Sequence, residues 1–157
     1  MRRLLAIWRL FTVILAAPYR MYHGRYAARV WDEAVLSAEQ GDFGGALNQV
    51  RKANISNWER EIIPFDLLEG KLLLLTGDNR GAIERLERFV KLFNKRGLET
   101  DDLRNYLHVV ADGLCDIAYQ RLGKFRSPVS ATKLRFELSK VPIFYQKTFP
   151  LGDFADG

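Results

Sequence analysis

Gly41-Asp42-Phe43-Gly44-Gly45-Ala46-Leu47 and Gly77-Asp78-Asn79-Arg80-Gly81-Ala82-Ile83 are two versions of one pattern, Gly-Asp-x-x-Gly-Ala-(Leu/Ile), offset by 36 residues. Each stands between two helical runs. Glycine just past a helical run supplies the left-handed residue that closes a helix. The aspartate after it can cap the next helix by accepting backbone N–H groups. The pattern therefore predicts a tight helix–turn–helix, made twice.

The flanking periodicities agree. Ala27, Val30, Trp31, Ala34 and Ala38 recur at helical spacing over residues 26–40. Phe43, Ala46, Leu47, Val50 and Ala53 make one face of a second helix. Asn54 to Trp58 reads as a loop. Pro64 suits the first turn of a third helix, Phe65 to Thr76, which is apolar nearly all round and so expected to be buried. A fourth runs from Asn79 to Lys95, with Ala82, Ile83, Leu86, Phe89, Val90 and Phe93 as its stripe. On its outer side the spacing predicts Glu84–Arg88 and Glu87–Lys91 pairs. Thr100 caps a fifth, with Asp101 and Asp102 in its first turn, and Gly123 ends it near Leu122. Ser130 is placed to start a short sixth helix reaching Ser139. From Val141 the chain holds Pro142, Pro150, Phe144, Tyr145, Phe149 and Phe154, and reads as an extended aromatic tail that docks in a groove of its own fold or of a partner.

A repeat of this length with this helix–turn–helix content resembles the tetratricopeptide repeat, over roughly Ala27 to Phe93. Ala46 and Ala82 stand where that family opens its second helix with a small residue. Ala34 and Gly70 match the small residue of its first helix. The family's closing proline is missing after both second helices, and Phe89 is larger than the usual alanine. The resemblance implies an all-α stack of about five to seven helices in antiparallel hairpins, with a concave surface lined by first helices. Asp32, Glu39, Asp66 and Lys71 are the polar residues expected to line such a partner groove.

Residues 4–17 are apolar except for Arg9 and Thr12. That is short of the ~20 residues a bilayer span requires. On a helical wheel, Arg2, Arg9, Thr12 and Ala16 fall on one side, with Leu4, Ile7, Trp8, Phe11, Ile14 and Leu15 opposite. This is an amphipathic helix ended by Pro18, and Arg2, Arg3, Trp8, Arg9 and Phe11 are the expected attachment residues. A secretory signal is the rival, but Arg9 interrupts its apolar region. An acid-free, arginine-rich start also suits a mitochondrial leader. The other expectation is that the apolar face packs on protein.

Charge is unevenly spread. Residues 1–31 carry six arginines and no acid, residues 32–122 carry 12 basic and 16 acidic residues, and residues 123–148 carry six basic residues and one acid, Glu137. Basic arms around an acidic centre suit an anionic lipid or an acidic protein surface better than nucleic acid. Three segments follow: an amphipathic helix at 1–18, a helical domain at 19–123 and a short helix with the aromatic tail at 124–157. The single cysteine, Cys115, rules out an internal disulfide.

Chemistry-bearing residues form no recognisable constellation. His108, Asp112, Cys115 and Asp116 share one helical face, read as an amphipathic surface with a half-buried thiol rather than a metal site. His23 lies among Arg20, Tyr22, Arg25 and Tyr26, as an interfacial or surface residue does. Glu59, Glu61, Asp66 and Glu69 read as a solvated acidic face. There is no phosphate-cradling glycine loop, zinc pattern or nucleophile elbow. The expectation is a non-catalytic interaction protein, an adaptor or assembly subunit, without cofactor, metal or small-molecule substrate. It would be held at the cytoplasmic side of a membrane or in a larger complex, with a soluble cytoplasmic or organellar location as the alternative. An immunity protein that neutralises a toxin is the alternative.

Overall fold

A computed structural model describes residues 24–93, 101–125 and 135–151. The expected attachment residues Arg2, Arg3, Trp8, Arg9 and Phe11 lie outside these, as do His23, Thr100, Ser130 and Phe154. The described residues are helical and include no strand. In order they form α1 (24–39), α2 (Phe43–Lys52), α3 (Asn57–Ile62), α4 (Phe65–Leu75), α5 (Asn79–Phe93), α6 (Asp101–Arg121) and α7 (Ile143–Thr148), with a 3₁₀ turn at Leu138–Lys140 before α7. They pack as helix hairpins, α4 with α5 and α5 with α6, while α2 and α6 both reach α4.

The duplicated motif builds the same corner twice. Gly41 and Gly77 adopt φ of 84° and 89°. Their left-handed turn lets Asp42 N–H reach Ser37 O at 3.0 Å and Asp78 N–H reach Leu73 O at 2.9 Å, closing α1 and α4 in Schellman fashion. Asp42 and Asp78 then accept from Gly45 N–H at 2.8 Å and Gly81 N–H at 2.9 Å. Ala46 and Ala82 come next, both fully buried, where the second helix meets the first.

Gly70 permits a close helix approach. A Cβ there would stand 2.6 Å from Leu86 Cγ, so only glycine lets α4 and α5 close at this depth. α4 is buried along most of its length, with Leu67, Leu68, Leu72 and Leu73 at most 2% exposed. At its C-terminus Arg121 of α6 donates to Leu74 O at 3.0 Å, satisfying a carbonyl the helix leaves unpaired. α6 ends at Gly123 (φ 65°), with Lys124 N–H on Tyr119 O at 2.9 Å.

Three expectations are corrected. The predicted loop after α2 contains most of a further helix start. Ser56 accepts from Glu59 N–H and Glu59 reaches back to Ser56 N–H at 2.7 Å, a capping box that starts α3. The described part of the predicted helix up to Ser139 is irregular at residues 135–137 and then a 3₁₀ turn. The tail is not extended: Pro142 opens α7, with its carbonyl accepting from Tyr145 and Gln146, and the Gln146 side chain ties back to Leu138 O and Val141 O.

The tail is also part of the core. Phe149 is fully buried, and its carbonyl accepts from Tyr106 Oη of α6. Its ring lies 6.1 Å from that of Trp31 on α1, which meets Phe65 of α4 edge-on at 5.4 Å. Asp102 of α6 takes the N–H of Glu137 at 2.7 Å, and Asn105 donates to Arg135 O at 2.8 Å. The tail thus docks in cis, across α1, α4 and α6.

Candidate partner groove and the arginine–carboxylate cluster

A groove of about 270 Å³ opens between α1, α4 and α7. Its floor is apolar: Val35 and Ala38 of α1, Phe43 at the start of α2, and Leu68, Leu72 and Leu75 of α4. Three charged side chains line it, Glu39, Lys71 and Lys147. Lys71 is fixed by donation to Thr148 O at 2.9 Å, and its ammonium sits 5.9 Å from the Phe149 ring centroid. Leu75 stays 46% exposed at the edge, a large apolar side chain left in water. The groove is thus a hydrophobic slot with basic side chains on its α4 and α7 sides and one carboxylate on α1.

Of the four residues expected at a partner surface, Glu39 and Lys71 line this groove. Asp32 is exposed on α1 but is not among the lining residues. Asp66 lies elsewhere, 1% exposed in an ion cluster. Lys147 and Thr148 were missed because they come from α7, more than 70 residues along the chain from α4. No local signal links those stretches.

The expected solvated acidic face is corrected outright. Glu59, Asp66 and Glu69 are 2%, 1% and 0% exposed; the Glu61 side chain is not among those described. Arg60 of α3 bridges both carboxylates of α4, at 2.7 Å to Asp66 and 3.3 Å to Glu69. Arg85 Nε of α5 lies 3.2 Å from Glu69, Arg88 Nε lies 3.3 Å from Asp66, and Arg51 Nε of α2 completes the set at 3.2 Å from Glu69. Arg88 also donates to Asn57 Oδ1 at 2.7 Å. It turns inward rather than toward Glu84, while Glu87 accepts from Tyr119 of α6 at 3.1 Å. Four guanidiniums therefore converge on two buried carboxylates from three neighbouring helices. The arrangement satisfies charge taken out of water and fixes how α2, α3 and α5 sit on α4.

The α6 face does not present its four polar groups together to solvent. His108 is 6% exposed, its ring 5.7 Å from that of Phe89, and Cys115 is fully buried rather than half-buried, whereas Asp116 is exposed. Burial pushes the His108 imidazole below its ordinary pKa, Arg104 adds to that, and Asp112 works against it. Among the described residues no helix is long and apolar enough to cross a membrane. The chain matches no family model, no curated protein and no solved structure.

Proposed function

We propose that the protein is a non-catalytic interaction module, an adaptor or assembly subunit with tetratricopeptide-like hairpins, attached to a membrane surface through its arginine-rich start. The groove carries this reading. It combines an apolar floor of six side chains with two lysines and one glutamate at its sides, and Leu75 stands exposed at its edge. The repeat reading rests on the duplicated Gly-Asp-x-x-Gly-Ala motif of the sequence. The partner segment is apolar with at least one carboxylate, to meet Lys71 and Lys147. The attachment reading rests on the sequence of residues 1–18, with arginines on one side of the wheel and Leu4, Trp8 and Phe11 on the other.

A photo-crosslinking amino acid at Leu75 tests the groove in cells. The expected result is a discrete adduct that Val35→Glu abolishes and Asp116→Lys, on exposed α6 surface, leaves intact. An adduct pattern unchanged by Val35→Glu in a folded variant overturns the groove as the binding surface.

A further inference from the structure

We infer that the outer side of the arginine–carboxylate cluster is an oxyanion site, formed by Arg51, Arg85 and Arg88, that takes a phosphate monoester. None of these residues lines the groove, so the site stands whether or not the groove holds a partner.

The cluster is layered by charge. The side chains of Asp66 and Glu69 are each 1% exposed, whereas those of Arg51, Arg85 and Arg88 are 50%, 33% and 36% exposed. The anions lie beneath and the cations above, so water at this surface meets guanidinium and neither carboxylate. Arg60 belongs to the buried layer. Positive charge is also in excess. Four guanidiniums face Asp66 and Glu69, and counting the buried Glu59 of α3 as a third acid still leaves the arginines in the majority. Glu84, the exposed acid just before Arg85 on α5, pairs with neither Arg85 nor Arg88 among the described residues.

Geometry brings the arginines within reach of one ligand. Arg51 Nε and Arg85 Nε both lie 3.2 Å from the same atom, Glu69 Oε1. Two like charges, one from α2 and one from α5, are gathered on a single buried oxygen. Arg88 follows one turn after Arg85, with Nε toward Asp66 and a terminal nitrogen on Asn57 Oδ1. A guanidinium carries more N–H donors than one carboxylate contact uses. The buried acids therefore hold these side chains in place and leave donors for a second acceptor. Orientation ahead of binding removes part of the ordering cost that flexible side chains otherwise incur. Phosphate suits the arrangement better than a carboxylate. Its acceptor oxygens face several directions and its charge is about −1.5 to −2 at pH 7, whereas a carboxylate offers two oxygens in one plane.

The test is calorimetric titration of the full chain, in phosphate-free buffer, with a glycine-flanked phosphoserine peptide, its serine and glutamate counterparts, and inorganic phosphate. The phosphoserine peptide is expected to saturate the parent and the serine peptide is not. Arg51→Gln and Arg85→Gln are each expected to weaken binding by about tenfold. Arg29→Gln, which changes a 70% exposed arginine on α1, is expected to leave it unchanged. Circular dichroism checks folding. Should Arg85→Gln unfold, Arg51→Gln and Arg51→Lys carry the test, since Arg51 is half-exposed and lysine keeps the charge but not the fork. Tighter binding of the phosphoserine peptide than of inorganic phosphate supports the site and assigns it to a phosphorylated side chain; equal binding supports it with the free anion as ligand. A glutamate peptide that binds as well as the phosphoserine peptide overturns phosphate as the ligand. Absence of saturable binding, affinity unchanged by Arg51→Gln, or equal losses with Arg29→Gln and Arg51→Gln overturns the site.

Discussion

At the scale of single residues, the glycines of the repeat do different work that the motif alone does not separate. Gly81 is needed for a hydrogen bond: an added Cβ would meet Asp78 Oδ2 at 2.5 Å, but that atom ends a flexible side chain that can rotate away. Gly81→Ala then loses a cap worth about 1 kcal/mol and gains about the same from helix propensity. Gly70 is needed for space: an added Cβ would stand 2.6 Å from Leu86 Cγ, a fully buried side chain in the core. Gly70→Ala is expected to destabilise the protein by about 1–3 kcal/mol. Urea unfolding of the two variants checks the contrast, and equal midpoints would show that α4 and α5 are not held at this separation. The cap and the turn were legible in the sequence because both are local. The reason for Gly70 was not, since Leu86 reaches it only after the chain has reversed.

At the scale of elements, the arginine–carboxylate cluster orders the hairpins. Arg60 is 11% exposed and touches both buried carboxylates, so its removal takes away their most buried countercharge and leaves Asp66 and Glu69 to the more exposed Arg51, Arg85 and Arg88. Arg60→Ala is expected to cost about 3 kcal/mol. Arg51 meets the same Glu69 but is 50% exposed, and solvent screening reduces Arg51→Ala to about 1 kcal/mol or less. Thermal unfolding of the two variants measures the difference. The sequence misled here for a definite reason. Asp66 and Glu69 look like the polar side of an apolar helix, and their partners lie on α2, α3 and α5. The capping box that starts α3 was in plain view as Ser56-Asn57-Trp58-Glu59. Six residues are too few to show a periodicity, so the segment passed for a loop.

At the scale of the whole molecule, the C-terminal stretch closes the fold. Phe149 is fully buried against Trp31 and held through its carbonyl by Tyr106. Phe149→Ala is expected to cost about 3–5 kcal/mol of the tail's docking energy. Limited trypsin digestion should then cut at Lys140 and Lys147 well before the helical body is degraded, while Asn105 and Asp102 lose their contacts to residues 135–137. Unchanged protection of those two sites would show that the tail is held by something other than Phe149. Docking of the tail also completes the groove, because Lys147 and Thr148 form one of its sides. The proposed partner surface therefore depends on the C-terminal fold, and loss of tail docking is expected to weaken binding of any partner that Lys71 and Lys147 orient.

The sequence by itself determined the all-helical class, the α1–α2 and α4–α5 corners and the burial of α4. Each depends on caps, left-handed glycines and apolar spacing within about a dozen residues. Tertiary structure alone decided the burial of Asp66 and Glu69, the helical form of the tail and the residues that share the groove. Those outcomes depend on side chains brought together across the stack. Asp66 is polar by its own chemistry and buried because four guanidiniums converge around it and Glu69. Phe149 looked like a residue seeking a partner and finds it in Trp31 of the same chain.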